Sequence, residues 1–280
     1  MAQDPAIQKQ ASTPTADTST PTTSASKDNA GDIQALPPSP NSQGRWLTSK
    51  GLGSTDDLEE FYQRRGVGAG QKGRPFKGRP TDALLAYCQY PEDIEQEFMY
   101  YYDERVLVIN DAYPKSKYHF LVLPRKRILY LTDLRGEEGI QTVKELFGRA
   151  LWLVDRLKVN DASYEYKYGF HVRQSMSQIH LHVLSTDYST ARMKRKEHWN
   201  SFTTEFFISP AYVLQILRER GRFQLSDQER ERFEAIVSQN LQCPVCKTVG
   251  RNMPDIKRHY LQTHWQPRHL ELQRHGKEAK

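Results

Sequence analysis

The sequence predicts an α+β fold, an antiparallel sheet with packed helices, followed by a small C-terminal metal-binding module. Three observations carry this. From Tyr100 onward the periodic segments run strands, helix, strands, helices. Cysteine and histidine recur as C-x2-C-x12-H-x4-H between Cys243 and His264. The first fifty residues are rich in Ser, Thr, Ala, Pro, Gln and Asp, with almost no large apolar side chains. Such a stretch cannot bury enough surface to offset its ordering entropy. The folded part is therefore expected to start between residues 80 and 95 and to run to about 266.

The elements follow in order. Gly66 to Pro80 reads as a basic Gly/Pro-rich linker. Tyr100–Tyr102 and Arg105–Ile109 read as two strands around a tight turn at Asp103-Glu104. His119–Leu123 reads as a third, stopped by Pro124. Glu137–Lys158 places apolar residues at 140, 143, 147, 150, 151, 154 and 157, the spacing of one buried helix face. Tyr166–Arg173 and Ile179–Ser185 read as two further strands. Ser209-Pro210 supplies a cap and a first-turn proline to a helix that Gly221 ends. Ser226 to Glu229 is a capping box opening another helix.

At the C-terminus, Cys243 and Cys246 form a tight pair, and His259 and His264 fall on a helix expected near Asp255–Thr263. Both spacings suit a Cys2His2 zinc finger. Four protein ligands fill a tetrahedral shell, so the expected cofactor is one structural zinc ion. His264 lies five residues after His259, so the helix end must tighten or unwind to aim it.

The chain has three cysteines and a net charge of +6. Few cysteines suit a reducing compartment, where paired thiols bind metal more often than they form disulfides. The opening residues hold no apolar run and no apolar stretch is long enough to span a bilayer, so neither a secretory signal nor membrane contact is expected. The basic excess is clustered: Lys72, Arg74, Lys77 and Arg79; then Arg192, Lys194, Arg195 and Lys196; then Lys257, Arg258, Arg268, Arg274 and Lys277. These are solvated surface or a track facing phosphates. Their closeness to the two His-containing motifs favours nucleic acid.

His180 and His182 alternate with Ile179, Leu181 and Val183, which puts both imidazoles on one face of a strand. Alone, this better describes a half-buried strand with two surface histidines. Upstream, Gln174-Ser175-Met176-Ser177 offers donors for an anionic phosphate. Asp111 and Lys115 flank a proline-containing loop between two strands.

At these residues the chain resembles the histidine-triad superfamily, and most closely its aprataxin branch. The resemblance rests on Tyr113-Pro114-Lys115-Ser116-Lys117-Tyr118-His119-Phe120-Leu121-Val122-Leu123-Pro124, on Gly169-Phe170-His171 and on Ser175-Met176-Ser177-Gln178-Ile179-His180-Leu181-His182-Val183. His198-Trp199-Asn200-Ser201-Phe202-Thr203 and the finger complete it, over residues 95 to 266. The N-terminal region does not look like a forkhead-associated domain, so the arrangement is similar to the shorter fungal one. The resemblance implies a histidine-triad fold and a DNA-repair hydrolase that removes AMP from 5′-adenylated DNA, the product of abortive ligation. It implies His180 as nucleophile, with His182, Ser175 and Lys115 on the adenylate phosphate and Asp111 on the ribose hydroxyls. It further implies His119 as an orienting residue, and His171 on the leaving phosphate or as a proton donor. Where the triad usually has its first histidine, this chain has Gln178. Its amide both donates and accepts, so it is expected to replace part of the hydrogen-bond network that fixes the nucleophile's tautomer and orientation, to stand among the substrate-binding residues, and to leave the chain active.

The implied organisation is a tail and basic linker over 1–80, the catalytic domain over 81–222, the finger over 223–266 and a basic tail over 267–280. Phe76 is expected to wedge against a base pair, and Lys257 and Arg258 to face DNA. The expected partners are adenylated nicks or ends, with AMP as product. The disordered tail is open to contacts with repair proteins, and the substrate implies a nuclear location. The chemistry needs no metal, so zinc and catalytic centre are expected to be separable. Two other readings compete: a histidine-triad hydrolase of small adenylylated molecules, and a DNA-binding protein without activity.

Overall fold

The computed structural model describes residues 79–91, 94 and 98–265. Phe76, most of the linker, both tails and the basic residues Arg268, Arg274 and Lys277 lie outside them. The helices are α1 (Ala83–Gln89), α2 (Gly136–Asn160), α3 (Lys196–Thr203), α4 (Pro210–Arg220), α5 (Asp227–Ser238) and α6 (Met253–Thr263). The strands are β1 (Met99–Tyr102), β2 (Val106–Asn110), β3 (His119–Pro124), β4 (Tyr166–His171), β5 (Leu181–Ser185) and β6 (Phe207–Ile208). They form one antiparallel sheet in the order β1-β2-β3-β5-β4-β6.

Strand alternation sorts the side chains onto two faces. Val106, Val108, Phe120, Val122, Leu181 and Val183 pack against α2 and α4. Leu107, Ile109, Leu121 and Leu123 point the other way, where Leu84 and Cys88 of α1 cover one end. At the other end Leu184 packs with Trp199 and with Leu241, Cys243, Ile256 and Tyr260 of the C-terminal module. Register places Leu121 opposite His182, and His182 opposite Gly169. His119, His182 and His171 therefore share this second face, between the two apolar ends.

Helix α2 has the expected extent, but its stripe is rotated. Ile140, Val143, Ala150, Val154 and Leu157 are buried as predicted, whereas Leu146 and Leu153 are fully buried in place of Phe147 and Leu151, which are half-buried. Apolar residues stand side by side at 146–147 and 150–151, so periodicity alone does not fix the angle; contact with the twisted sheet does. Each fully buried leucine contributes about 2 kcal/mol. The caps behave as read. Ser209 accepts the Tyr212 N–H, Gly221 ends α4 with φ +68°, and Ser226 and Glu229 make both capping-box bonds.

The short elements α1, α3 and β6 carry no repeating period and escape the sequence reading. β6 matters because it seats Phe207 over β4. A Cβ at Gly169 would lie 2.6 Å from the Phe207 ring, so only glycine lets that ring approach the strand. Among the described residues, no helix is long and apolar enough to cross a membrane.

Candidate active site and metal centre

Four imidazoles gather on the second face of the sheet, between its two apolar ends. β3 contributes His119, β4 His171 and β5 His182. His180 sits one residue before β5 rather than on it. Ring centroids lie 4.9 Å apart for His180–His182, 4.6 Å for His171–His182 and 5.2 Å for His119–His182. Phe202 of α3 lies edge-on to His119, His171 and His182, and Phe207 packs on His171 and His182. These two phenylalanines seat the cluster. The spacing of the histidines gives no sign of them; only His198–Thr203 within the resemblance contained Phe202.

Hydrogen bonds assign the tautomers. The Lys115 backbone N–H donates to His119 Nδ1 at 3.1 Å, so that nitrogen is the acceptor and the His119 proton sits on Nε2. His119 Nε2 lies 3.0 Å from His182 Nδ1 and donates to it. His182 then carries its proton on Nε2, a buried atom with no partner among the described residues. Likewise His180 Nδ1 lies 2.8 Å from the Gln178 carbonyl, which only accepts. His180 is protonated at Nδ1, and its Nε2 keeps the lone pair.

The loop joining β2 to β3 closes one side. Asp111 accepts the Tyr113 N–H at 2.7 Å, and its other oxygen lies 3.5 Å from His119 Nε2 and 4.0 Å from His182 Nδ1. Asp111 thus backs the imidazole pair through the oxygen that does not bind the loop. Asp111, His119 and His182 are close enough to suggest a metal site. A metal would need the His119 Nε2 lone pair, but the Lys115 N–H already holds Nδ1 as acceptor and places a proton on Nε2. The trio therefore fits a proton chain and not an ion. Lys115 is buried and its ammonium donates to the Tyr113 carbonyl. Burial lowers its pKa against the pull of Asp111, and the cations Arg192, Arg195 and Lys194 lower it further. The second basic cluster therefore rims this side of the site.

Burial holds the imidazoles neutral. It pushes His119 down to about 4, against the raising influence of Asp111, and His171 to about 3, with the neighbouring His180 and His119 acting in the same direction. His182 and His180 are lowered by the same cause. Unfolded histidine takes a proton near 6.5, while these stay neutral in the fold. Below that pH the unfolded chain binds more protons, so stability is present above 6.5 and is lost as pH falls towards 4. Each such histidine costs about 1.4 kcal/mol per pH unit within its window. Denaturant midpoints between pH 6.5 and 4.5 should fall accordingly. His171→Phe, which retains a ring against Phe202 and Phe207, should lose its share of the slope; an unchanged slope would show that His171 is not held neutral by burial.

The second cluster lies in the C-terminal module. Ligand atoms of Cys243, Cys246, His259 and His264 all fall within 4.8 Å of one another. Cys246 Sγ is 3.1 Å from His259 Nε2, and His264 Nε2 is a buried atom without a partner among the described residues. This donor set and spacing fit a tetrahedral zinc ion. The question of aim is settled at the helix end. α6 stops at Thr263, and His264 leaves helical geometry at φ −122°, ψ −32°.

Comparison with known proteins matches this two-part construction. A family model described as "Scavenger mRNA decapping enzyme C-term binding" matches residues 85–198, and one described as "C2HE / C2H2 / C2HC zinc-binding finger" matches 203–267. Aprataxin from Danio rerio is 32% identical over 234 residues, covering 83% of this chain and 68% of its own. The chain belongs to the aprataxin family. The solved aprataxin ortholog Hnt3 in complex with DNA shares the fold, with a TM-score of 0.52 and 23% identity over 65% of this chain and 93% of that one. The chain spans less than two thirds of several curated relatives. It covers only 23% of transcription factor bHLH140 from Arabidopsis thaliana, to which it is 36% identical over 220 residues.

The structure places the other expected site residues as follows, and corrects the reading of Gln178. Gln178 does not face substrate. It is fully buried, its amide donates to the carbonyls of Pro124 and Lys126, and its oxygen accepts the Ile128 N–H. Its backbone, at φ +78°, turns the carbonyl to His180. The main chain thus orients His180, and the missing triad histidine costs that bond nothing. Ser175 is exposed on the loop before Gln178, and among the described residues no hydrogen bond joins its hydroxyl to the imidazoles. Asp111 is directed towards the imidazoles as well as the loop. Lys257 donates to the carbonyls of Ser189 and Thr190, so its ammonium is held against this segment. Arg258 is exposed but pairs with Asp255 at 3.4 Å.

Proposed function

We propose that this aprataxin is a DNA-repair hydrolase that removes AMP from 5′-adenylated DNA ends through an adenylyl-histidine at His180. One observation carries the reading: the Gln178 carbonyl holds the His180 proton on Nδ1, leaving Nε2 as a neutral nucleophile beside the His182 ring. Nε2 attacks the AMP phosphorus, the bond to the DNA 5′-phosphate breaks, and the phosphate departs with the electron pair. Water then attacks the same phosphorus and gives up a proton to the solvent. The P–N bond breaks, AMP leaves, and His180 returns to its neutral form.

The neighbouring groups serve charge and alignment. The unpartnered Nε2–H of His182 is a donor for a phosphate oxygen, polarised from behind by His119 and Asp111. Lys115 adds a positive charge, His171 another buried neutral imidazole beside the leaving group, and Ser175 an exposed hydroxyl at the rim. Arg192, Lys194 and Arg195 extend the rim towards a polynucleotide. One structural zinc ion would be held by Cys243, Cys246, His259 and His264, where it supplies cross-linking rather than reaction chemistry. We retain 81–222 as catalytic and 223–266 as finger portions, with a nuclear location, a DNA-facing role for Arg258 and tail contacts to repair proteins as parts of the same reading.

The deciding experiment compares AMP release from a 5′-adenylated nicked duplex with release from a free adenylyl-amine. The expected result is a kcat/KM at least about tenfold higher on the duplex, a difference of about 1.4 kcal/mol. Preference for the small molecule would instead identify a general nucleotide hydrolase, and salt-sensitive DNA binding without any AMP release an inactive binder.

A further inference from the structure

Five residues, Thr186 to Thr190, connect the zinc-binding module to the catalytic loop. On one side the module grips them. Lys257 Nζ donates to the Ser189 and Thr190 carbonyls at 3.0 and 2.8 Å, and the Tyr260 hydroxyl donates to the Thr186 carbonyl at 2.7 Å. On the other side the same five residues grip the catalytic loop at three successive points. Thr190 Oγ1 donates to the Pro114 carbonyl at 2.5 Å, Ser116 Oγ accepts the Tyr188 N–H at 3.2 Å, and Asp187 accepts the Lys117 N–H at 3.0 Å. Between these points lies Lys115, whose N–H sets the His119 tautomer.

A second observation indicates that this segment is held rather than relaxed. Tyr188, at its centre, has φ +48°, a left-handed conformation that is unfavourable for a non-glycine residue. Its ring is buried between Trp199 and Tyr260, at 5.8 and 5.6 Å between centroids. Strain of this kind persists only where surrounding contacts over-determine the backbone. Here Lys257 and Tyr260 of the module supply three of those contacts, beside the Thr186 N–H donated to the Glu165 carbonyl and the Ser185 hydroxyl donated to Asp187.

We infer that Lys257 is a positioning residue for catalysis: through residues 186–190 it holds the 114–117 loop, and so keeps the Lys115 N–H on His119 and the His182 proton directed into the site. The finger then serves the reaction through that loop, and zinc and catalytic centre are not separable. This rests on the proposed reaction for its kinetic consequence, but the loop geometry can be measured without it.

The test uses the zinc-loaded full chain carrying Lys257→Met, which retains the aliphatic stem, with Lys257→Arg as the conservative control. Tyr260→Phe serves as a second probe should Lys257→Met fold poorly. With the free adenylyl-amine as substrate, kcat should fall about tenfold while KM changes less than about twofold, as expected for lost alignment rather than lost binding. Lys257→Arg should restore most of the rate. Amide hydrogen exchange at Lys115 and Lys117 should speed up in Lys257→Met with zinc content unchanged. Faster exchange without detectable turnover in the unmutated protein would support the strut and sink the proposed activity. Unchanged exchange overturns the inference. So does a loss of affinity for 5′-phosphorylated duplex with kcat intact, which would make Lys257 a phosphate contact.

Discussion

His180→Ala should release AMP from a 5′-adenylated nick about 10⁴-fold more slowly than the unmutated chain, while still binding the duplex. The magnitude follows from what the residue does. Removing an enzyme's covalent nucleophile forfeits the two-step route and leaves only binding and charge stabilisation, a loss of 10⁴ or more in well-studied hydrolases. It corresponds to about 5.5 kcal/mol of transition-state free energy. Duplex affinity is the control, because the basic rim lies on other residues. Release near the unmutated rate would mean that His180 is not the nucleophile. A contrasting variant, His182→Ala, should lose less, since it removes one donor to phosphate oxygen and leaves Nε2 of His180 in place.

Cys243→Ser should abolish stoichiometric zinc and destabilise the chain by about 4 kcal/mol or more, because metal binding in such modules is folding free energy. The site is unusually coupled to the rest of the molecule. Cys243 is fully buried in the same apolar cluster as Trp199, whose indole N–H donates to the Gln242 carbonyl at 2.8 Å. Loss of the metal should therefore expose Trp199, and tryptophan emission should shift to the red together with the first unfolding transition. Chelating zinc from the unmutated chain should reproduce the effect. Unchanged melting and metal content in Cys243→Ser would remove it from the ligand set.

The histidine pair was readable as a pair but ambiguous, since alternation on a strand describes surface residues as well as a site. What resolves it is register. β3, β4 and β5 meet so that His119 and His171, distant in sequence from His182, come to its sides. No period connects these positions, so no local pattern announces them. Gln178 shows the same limit in reverse. Its place in the motif suggested a side chain working at the substrate. Its left-handed backbone instead turns the carbonyl to His180 and the amide into the fold.

What the amino-acid order determines by itself is local chemistry. It sets the Cys2His2 spacing, the caps at Ser209 and Ser226, the strand alternation that puts histidines on one face, and the family to which these motifs belong. These depend on bonds and turns among near neighbours, and the chain carries them wherever it goes. Only the tertiary structure decides that Lys257 grips the Ser189 and Thr190 carbonyls, that Phe202 and Phe207 seat the imidazoles, and which nitrogen of His119, His180 and His182 bears the proton. Those outcomes rest on single hydrogen bonds and close ring contacts between segments far apart in sequence. An ammonium or an imidazole has several partners of similar strength available to it. The packed sheet, with the finger against one end of its second face, selects one.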